Sequence, residues 1–274
     1  MNVAIIGAGY WGQIYIKTLK NIPEANLIGA YTHNYKEMLN NKDIDCVIIA
    51  TPRETHYEIT KNCLLAEKHV LVEKPFTCDS IDAIELYELS KIVKKVLLIG
   101  HVYLHHPGII KIKNIIENKE LGDLIEINSH RMNINKDPNS LWEMACHDIY
   151  IFDYLLNLDI SDIKILGDIS HCIINIKYKN INTYIEVNCN HPQKTREIVI
   201  IGSKKIVIFN DQNILITNKN GIVEKTISLE MNPLPLEKQC KHFFNCILGE
   251  NKPISDAYNG YENICILERI NKLL

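Results

Sequence analysis

Val3-Ala4-Ile5-Ile6-Gly7-Ala8-Gly9-Tyr10-Trp11-Gly12 decides how this chain is read. An apolar run ends in Gly-x-Gly-x-x-Gly, and residues 11–21 after it have the pattern of a helix. Each glycine has its own task at that spacing. Gly7 makes the tight turn, Gly9 lets the backbone approach a pyrophosphate, and Gly12 lets the helix pack closely on its strand. The helix N-terminus then faces the phosphates. Gly7, Gly9, Tyr10, Trp11 and Gly12 are therefore candidate cofactor contacts, the alternative being a β–α turn without a ligand.

Outward from that turn the alternation continues. Apolar runs at residues 27–31, 46–50, 70–72 and 96–99 are separated by helix-compatible segments, chiefly 54–66 and 79–94. Strands alternating with helices predict a doubly wound parallel sheet, an α/β Rossmann domain over residues 1–102. In such sheets ligands bind outside the carboxyl ends of the strands. Two strand ends are marked by proline: Thr51-Pro52, and Glu73-Lys74-Pro75. Proline disfavours helix in the residue before it and so fixes how the chain leaves each strand. A lysine at such an end is either an idle solvated charge or a ligand group.

A carboxylate is expected about 20 residues beyond the glycines, on the adenosine ribose hydroxyls of NAD. Thr32 stands there, followed by His33. Without the acid a 2′-phosphate is not repelled, and Thr32 and His33 have the atoms to hydrogen-bond one. Alternatively Thr32 only ends the strand. NAD and NADP both stay open as cofactors.

Residues 103–274 read as an α+β domain with an open, largely antiparallel sheet. Residues 124–133 alternate as a half-buried strand does, and 141–156 have helical spacing at Leu141, Ala145, Ile149, Phe152 and Leu156. Seven β-rich runs follow between 163 and 227, divided by turn signals such as Gly202-Ser203 and Asn220-Gly221. Residues 236–248 and 257–273 read as closing helices. The sheet face away from the helices needs a cover, because a large apolar patch on a monomer is unusual.

The chain has 274 residues, 46% hydrophobic and 23% charged, enough for a sizeable core. Its net charge of −3 argues against nucleic-acid and polybasic membrane partners. Nine cysteines without a CxxC suit reduced thiols in a cytoplasmic protein, and predict neither a disulfide framework nor a metal site. The first glycine comes too early for a signal peptide, and no apolar run approaches membrane length.

The glycine turn, Ala50-Thr51-Pro52 with His56, Glu73-Lys74-Pro75 and Gly100-His101 occur in that order. Together they resemble the glucose–fructose oxidoreductase / inositol dehydrogenase / MocA-like family. The resemblance implies a nicotinamide-dependent oxidoreductase in which Lys74 lies beside the nicotinamide and hydrogen-bonds the reacting hydroxyl. It adds Thr51, Pro52, His56 and Glu73 to the cofactor crevice. Trp142-Glu143-Met144-Ala145-Cys146-His147-Asp148 looks like the family's helix carrying an acid four residues before a histidine. Residues four apart share a helix face, so Glu143 and His147 are expected to point the same way. His147 matches the usual base. The family has aspartate where Glu143 stands, and glycine where Ala145 stands.

Residues 100–107 (with His101 and Tyr103), 190–205 (with Lys194 and Arg196), and Pro233-Leu234 with His242-Phe243 look like the branch containing nucleotide-sugar 3-dehydrogenases. That branch implies a nucleotide-sugar substrate such as UDP-N-acetylglucosamine, with His101, Tyr103, Glu143, Lys194 and Arg196 in substrate binding. Lys194 and Arg196 read equally as ordinary strand charges. The family also implies a homodimer or homotetramer formed through the C-terminal sheet. Two other readings remain: an NADPH-dependent keto-sugar or imine reductase, and a dinucleotide-binding regulator without catalysis.

Overall fold

The computed structural model describes residues 1–32, 34–134 and 139–274. In chain order it opens with β1 (Asn2–Ile6), α1 (Tyr10–Leu19), β2 (Asn26–Tyr31), α2 (Tyr35–Met38), β3 (Cys46–Ile49), α3 (His56–Leu65), β4 (His69–Glu73), α4 (Ser80–Ile92) and β5 (Leu97–Gly100). Then come α5 (Pro107–Glu117), β6 (Leu124–Ile134), a π-helical turn (Leu141–Ala145) and α6 (Cys146–Leu156). β7 (Ile160–Gly167), β8 (His171–Tyr178), β9 (Ile181–Asn188), β10 (Asn190–Gly202), β11 (Lys205–Asn210), β12 (Asn213–Asn218) and β13 (Val223–Ser228) follow. Helices α7 (Pro235–Ile247) and α8 (Ala257–Asn271) close the chain.

Two compact units result. One comprises Met1–His105 with Pro233–Cys265, the other His106–Asn232 with Ile266–Leu274. A single cut after residue 102 does not describe this division, because α7 belongs with the first unit. Its Leu236, Cys240, Phe243 and Phe244 are buried in one core with Val3, Ile5, Tyr15, Leu19, Ile48, Leu71 and Leu98. Hydrophobic burial, not sequence order, assigns a helix to its unit.

The first unit is built on a parallel sheet of order β2-β1-β3-β4-β5. Residues 3–6, 46–49, 70–72 and 98–99 are buried to 0% exposure, as strands covered on both faces must be. Asp79 caps α4, its carboxylate accepting the Asp82 N–H at 2.9 Å, as its place before the helical pattern predicts.

The second unit carries an eight-stranded sheet of order β13-β12-β11-β10-β6-β9-β8-β7. All pairs are antiparallel except β6 with β9. The alternation in β6 is clean: Ile127, Ser129 and Arg131 are buried, and Asn128 and His130 on the other face are not. Helix α5 is an addition to the elements expected from sequence. Its signals are there, with Pro107 in the first turn, His106 Nδ1 accepting the Gly108 N–H at 3.1 Å, and Ile109, Ile112 and Ile115 buried on one face.

Candidate functional site

At the carboxyl end of β1, Gly7 has φ +102°, a left-handed conformation that favours glycine. A Cβ on Gly12 would stand 1.9 Å from the Gly7 carbonyl oxygen, so α1 approaches its strand as closely as backbone allows. Gly9 differs: nothing lies within 4 Å of the place a Cβ would take. It is also the N-cap of α1 and provides no side-chain cap. Open space over uncapped helix N–H groups, reached through a residue without a side chain, fits a pyrophosphate. Tyr10 and Trp11 stand at the same helix start, 78% and 39% exposed.

The other strand ends line up in register. β3 pairs β1 on one side and β4 on the other, which sets the turns after Ile49 and Glu73 beside the glycine turn. His56 joins those two turns. It is 1% exposed, with Nδ1 2.8 Å from the Pro75 carbonyl and Nε2 3.0 Å from that of Thr51. Both ring nitrogens face main-chain carbonyls, so His56 braces the two turns against each other. Burial pushes its pKa below the usual range; the carbonyls oppose that shift, and the charge of Lys74 adds to it.

Glu73, the last residue of β4, turns inward. It is 6% exposed, and Tyr15 Oη donates to its Oε1 at 2.6 Å. Its other oxygen accepts the Lys74 N–H at 3.2 Å. The carboxylate therefore points into the core. Lys74 itself is half-buried. His101, after β5, is 2% exposed; burial first, then the charge of Lys74, pushes its pKa down to about 3. A neutral imidazole close enough to sense Lys74 thus lies in the same crevice, with half-buried Tyr103 two residues on. Thr32 is exposed just after β2. His33 lies outside the described residues.

In the second unit, the predicted helix over 141–156 begins as a π-helical turn, Leu141–Ala145, before becoming α-helical. Such turns recur at functional sites because they re-aim side chains. From residue 140 to 152 every residue is buried except Glu143 and His147, both half-buried. The two expected to share a face are thus the two that this segment leaves partly open. Asp148, next in the chain, is fully buried and holds the turn in place. Arg131 Nε and Nη2 donate to its two oxygens at 2.6 and 3.0 Å, and Ser129 Oγ donates at 2.7 Å. Sequence spacing does not reveal this pair, since Arg131 sits in a strand whose buried face is otherwise apolar or small.

Lys194 is exposed on β10, and Arg196 Nη1 pairs with Asp211 Oδ2 at 3.2 Å on the surface. Among the described residues, no group of three or more histidine, cysteine or acidic side chains is placed to hold a metal ion. No described helix is long and apolar enough to cross a membrane.

The glycine turn, the five-stranded parallel sheet and the crevice at its carboxyl ends define the first unit as a Rossmann dinucleotide-binding domain. Residues 30–101 match the model of the GFO_IDH_MocA oxidoreductase family, NAD-binding Rossmann fold. Inositol 2-dehydrogenase of Salmonella typhimurium is 29% identical over 139 residues, 48% of this chain. The match spans 41% of that enzyme, less than half its length. In fold the likeness covers both units. UDP-N-acetylglucosamine 3-dehydrogenase GnnA from Acidithiobacillus ferrooxidans superposes with a TM-score of 0.88 at 18% identity, over 100% of this chain and 97% of that one. Levoglucosan dehydrogenase in complex with NADH gives 0.85 at 18% identity, over 100% and 96%.

Proposed function

We propose that the protein is an NAD(P)-dependent oxidoreductase that moves a hydride between a sugar carbinol carbon and a nicotinamide. The substrate class is a nucleotide sugar reacting at a C3 hydroxyl, as in UDP-N-acetylglucosamine. One observation carries the reading: Lys74 stands at the carboxyl end of β4, in the unit that holds the dinucleotide turn, beside a buried neutral histidine that senses its charge. A bound nicotinamide supplies the hydride acceptor or donor. The chain's own residues do the rest. Lys74 hydrogen-bonds the reacting hydroxyl oxygen and offsets its developing negative charge. His147 takes the hydroxyl proton, the general-base role that an imidazole side chain fills most often. Glu143 binds substrate on the same helical face, and His101 and Tyr103 line the crevice.

Thr32 favours a second reading in the same class, an NADPH-dependent reductase, since a threonine stands where an acid would oppose a 2′-phosphate. The purified protein should release a nicotinamide dinucleotide on denaturation, identified by mass spectrometry, and should turn over UDP-N-acetylglucosamine with NAD⁺ or NADP⁺. At least tenfold tighter binding of NADPH than NADH would move the assignment to the reductase. A tightly bound nucleotide with no turnover on any sugar nucleotide would replace both readings by a regulator.

The open sheet face is the surface for a second copy of this chain. Leu166, Ile173 and Tyr184 are 74%, 38% and 37% exposed, and Val199, Ile201, Ile206, Ile208 and Leu215 are half-buried. Strand register brings these side chains to one face. Burying them stabilises a dimer by removing apolar surface from water. Sedimentation velocity at micromolar concentration should show a dimer or tetramer, and a monomer there would remove the proposal.

A further inference from the structure

The parallel sheet of the first unit has a second end. Asp45 and Lys68 immediately precede β3 and β4, and Lys95 lies two residues before β5. Strand register, with Cys46 beside His69 and Val70 beside Leu97, gathers them at the amino ends of the strands. The glycine turn and Lys74 lie at the carboxyl ends of the same sheet. A cleft of about 1010 Å³ opens at this amino end, at the upper limit of the size usual for small-molecule sites. Its lining is of two kinds. Ile44, Leu65, Ile247 and Leu248 are apolar, and Leu65 and Leu248 are 59% and 63% exposed. Lys42, Lys68, His69 and Lys95 are hydrogen-bond donors.

These donors are not spent within the chain. Lys68 is 6% exposed, and its Nζ donates to the Asn41 carbonyl at 2.7 Å and to that of Ile44 at 2.9 Å. An ammonium has three protons, so one is left over. Lys95 is half-buried, and its ammonium makes no ion pair or hydrogen bond among the described residues. Its charge reaches both neighbours. Burial first, then Lys95, lowers the pKa of Lys68 and pushes that of His69 down to about 4. His69 is therefore a neutral imidazole. Its Nδ1 accepts the Val96 N–H at 3.0 Å, which puts the ring proton on Nε2, where it has no partner among the described residues. The acidic lining is Asp45 and Glu67. Asp45 Oδ2 already accepts the Asn2 N–H at 2.7 Å, and Glu67 is exposed just beyond α3. Enclosing two like charges without a counter-charge is costly, and so is leaving large apolar side chains in water beside them. An anion with an apolar body answers both.

We propose that this cleft is a second ligand site, for a small amphipathic anion: a phosphate or carboxylate group held by Lys95, Lys68 and His69, with its apolar body over Leu65 and Leu248. The site is separate from the dinucleotide crevice and does not rest on the oxidoreductase reading. Isothermal titration calorimetry on the full chain tests it with octyl phosphate and octanoate as probes, and with inorganic phosphate and 1-octanol as the charge and the body alone. At least one of the two amphipathic probes should bind with a Kd below about 1 mM, about tenfold or more tighter than either half. Whichever of them binds more tightly names the anionic group. Lys95→Met should weaken that probe about tenfold, the loss expected for one charged hydrogen bond. Leu65→Ser should weaken it about fivefold through lost apolar contact. Lys68→Met would also strip two carbonyls of their donor and destabilise the fold, so Lys95 and Leu65, which lie nearer the surface, carry the test. No binding of either amphipathic probe at about 1 mM, or affinities equal to those of phosphate or octanol, would overturn the proposal. So would unchanged binding in both variants with the fold intact by circular dichroism, or displacement of the probe by NADH, which would seat it in the dinucleotide crevice. Flotation with phosphatidate vesicles that Lys95→Met abolishes would overturn it in favour of a membrane surface.

Discussion

Lys74→Ala is expected to lower turnover by roughly 10²–10⁴-fold, the range lost when a positioned proton-transfer or oxyanion-stabilising group is removed. The substituted side chain lies at the end of β4 and leaves the glycine turn untouched, so NADH affinity should change little. That split is diagnostic, because a residue used only for binding would raise KM and spare kcat. Fluorescence titration with NADH and steady-state rates on a sugar nucleotide read the two quantities separately. Near-normal turnover would remove Lys74 from the chemistry. Lys74→Arg is not expected to rescue, since a planar guanidinium delivers its protons along different directions from an ammonium.

The second large effect is on stability. Asp148→Ala is expected to cost about 3–5 kcal/mol, because it leaves the Arg131 guanidinium buried without its carboxylate. The pair is almost fully enclosed, with side-chain exposures of 7% and 0%. Trp142, 9% exposed in the adjoining π-helical turn, reports on this unit. In a Trp11→Phe background it is the remaining tryptophan, so its urea transition follows the second unit alone. Loss of activity should accompany the loss of stability, since Asp148 anchors the turn that presents His147. A midpoint unchanged within error would show that Arg131 finds another acceptor.

Much of this molecule is legible along the chain. The Rossmann half follows from glycine spacing and from apolar runs whose period changes from strand to helix, because those patterns record local geometry and burial on both faces. The strands of the second unit follow from alternation and turn residues in the same way. Helix α5 is also marked in the sequence, by Pro107 and by the isoleucine spacing of 109, 112 and 115. The π-helical turn is not, because one extra residue per turn leaves Glu143 and His147 at the same separation in sequence.

Glycine spacing and the Glu73-Lys74-Pro75 strand end determine, by themselves, a dinucleotide turn and a lysine at the ligand end of a parallel sheet. Both are local properties of consecutive residues. Tertiary structure alone decided that Glu73 faces Tyr15, that Gln239 comes from 224 residues further on to orient that phenol, and that Arg131 holds Asp148. It also decided that α7 joins the first unit. Each of these depends on which buried polar group finds a partner when separate segments pack, and a buried donor or acceptor is satisfied by position in space and not by position in sequence.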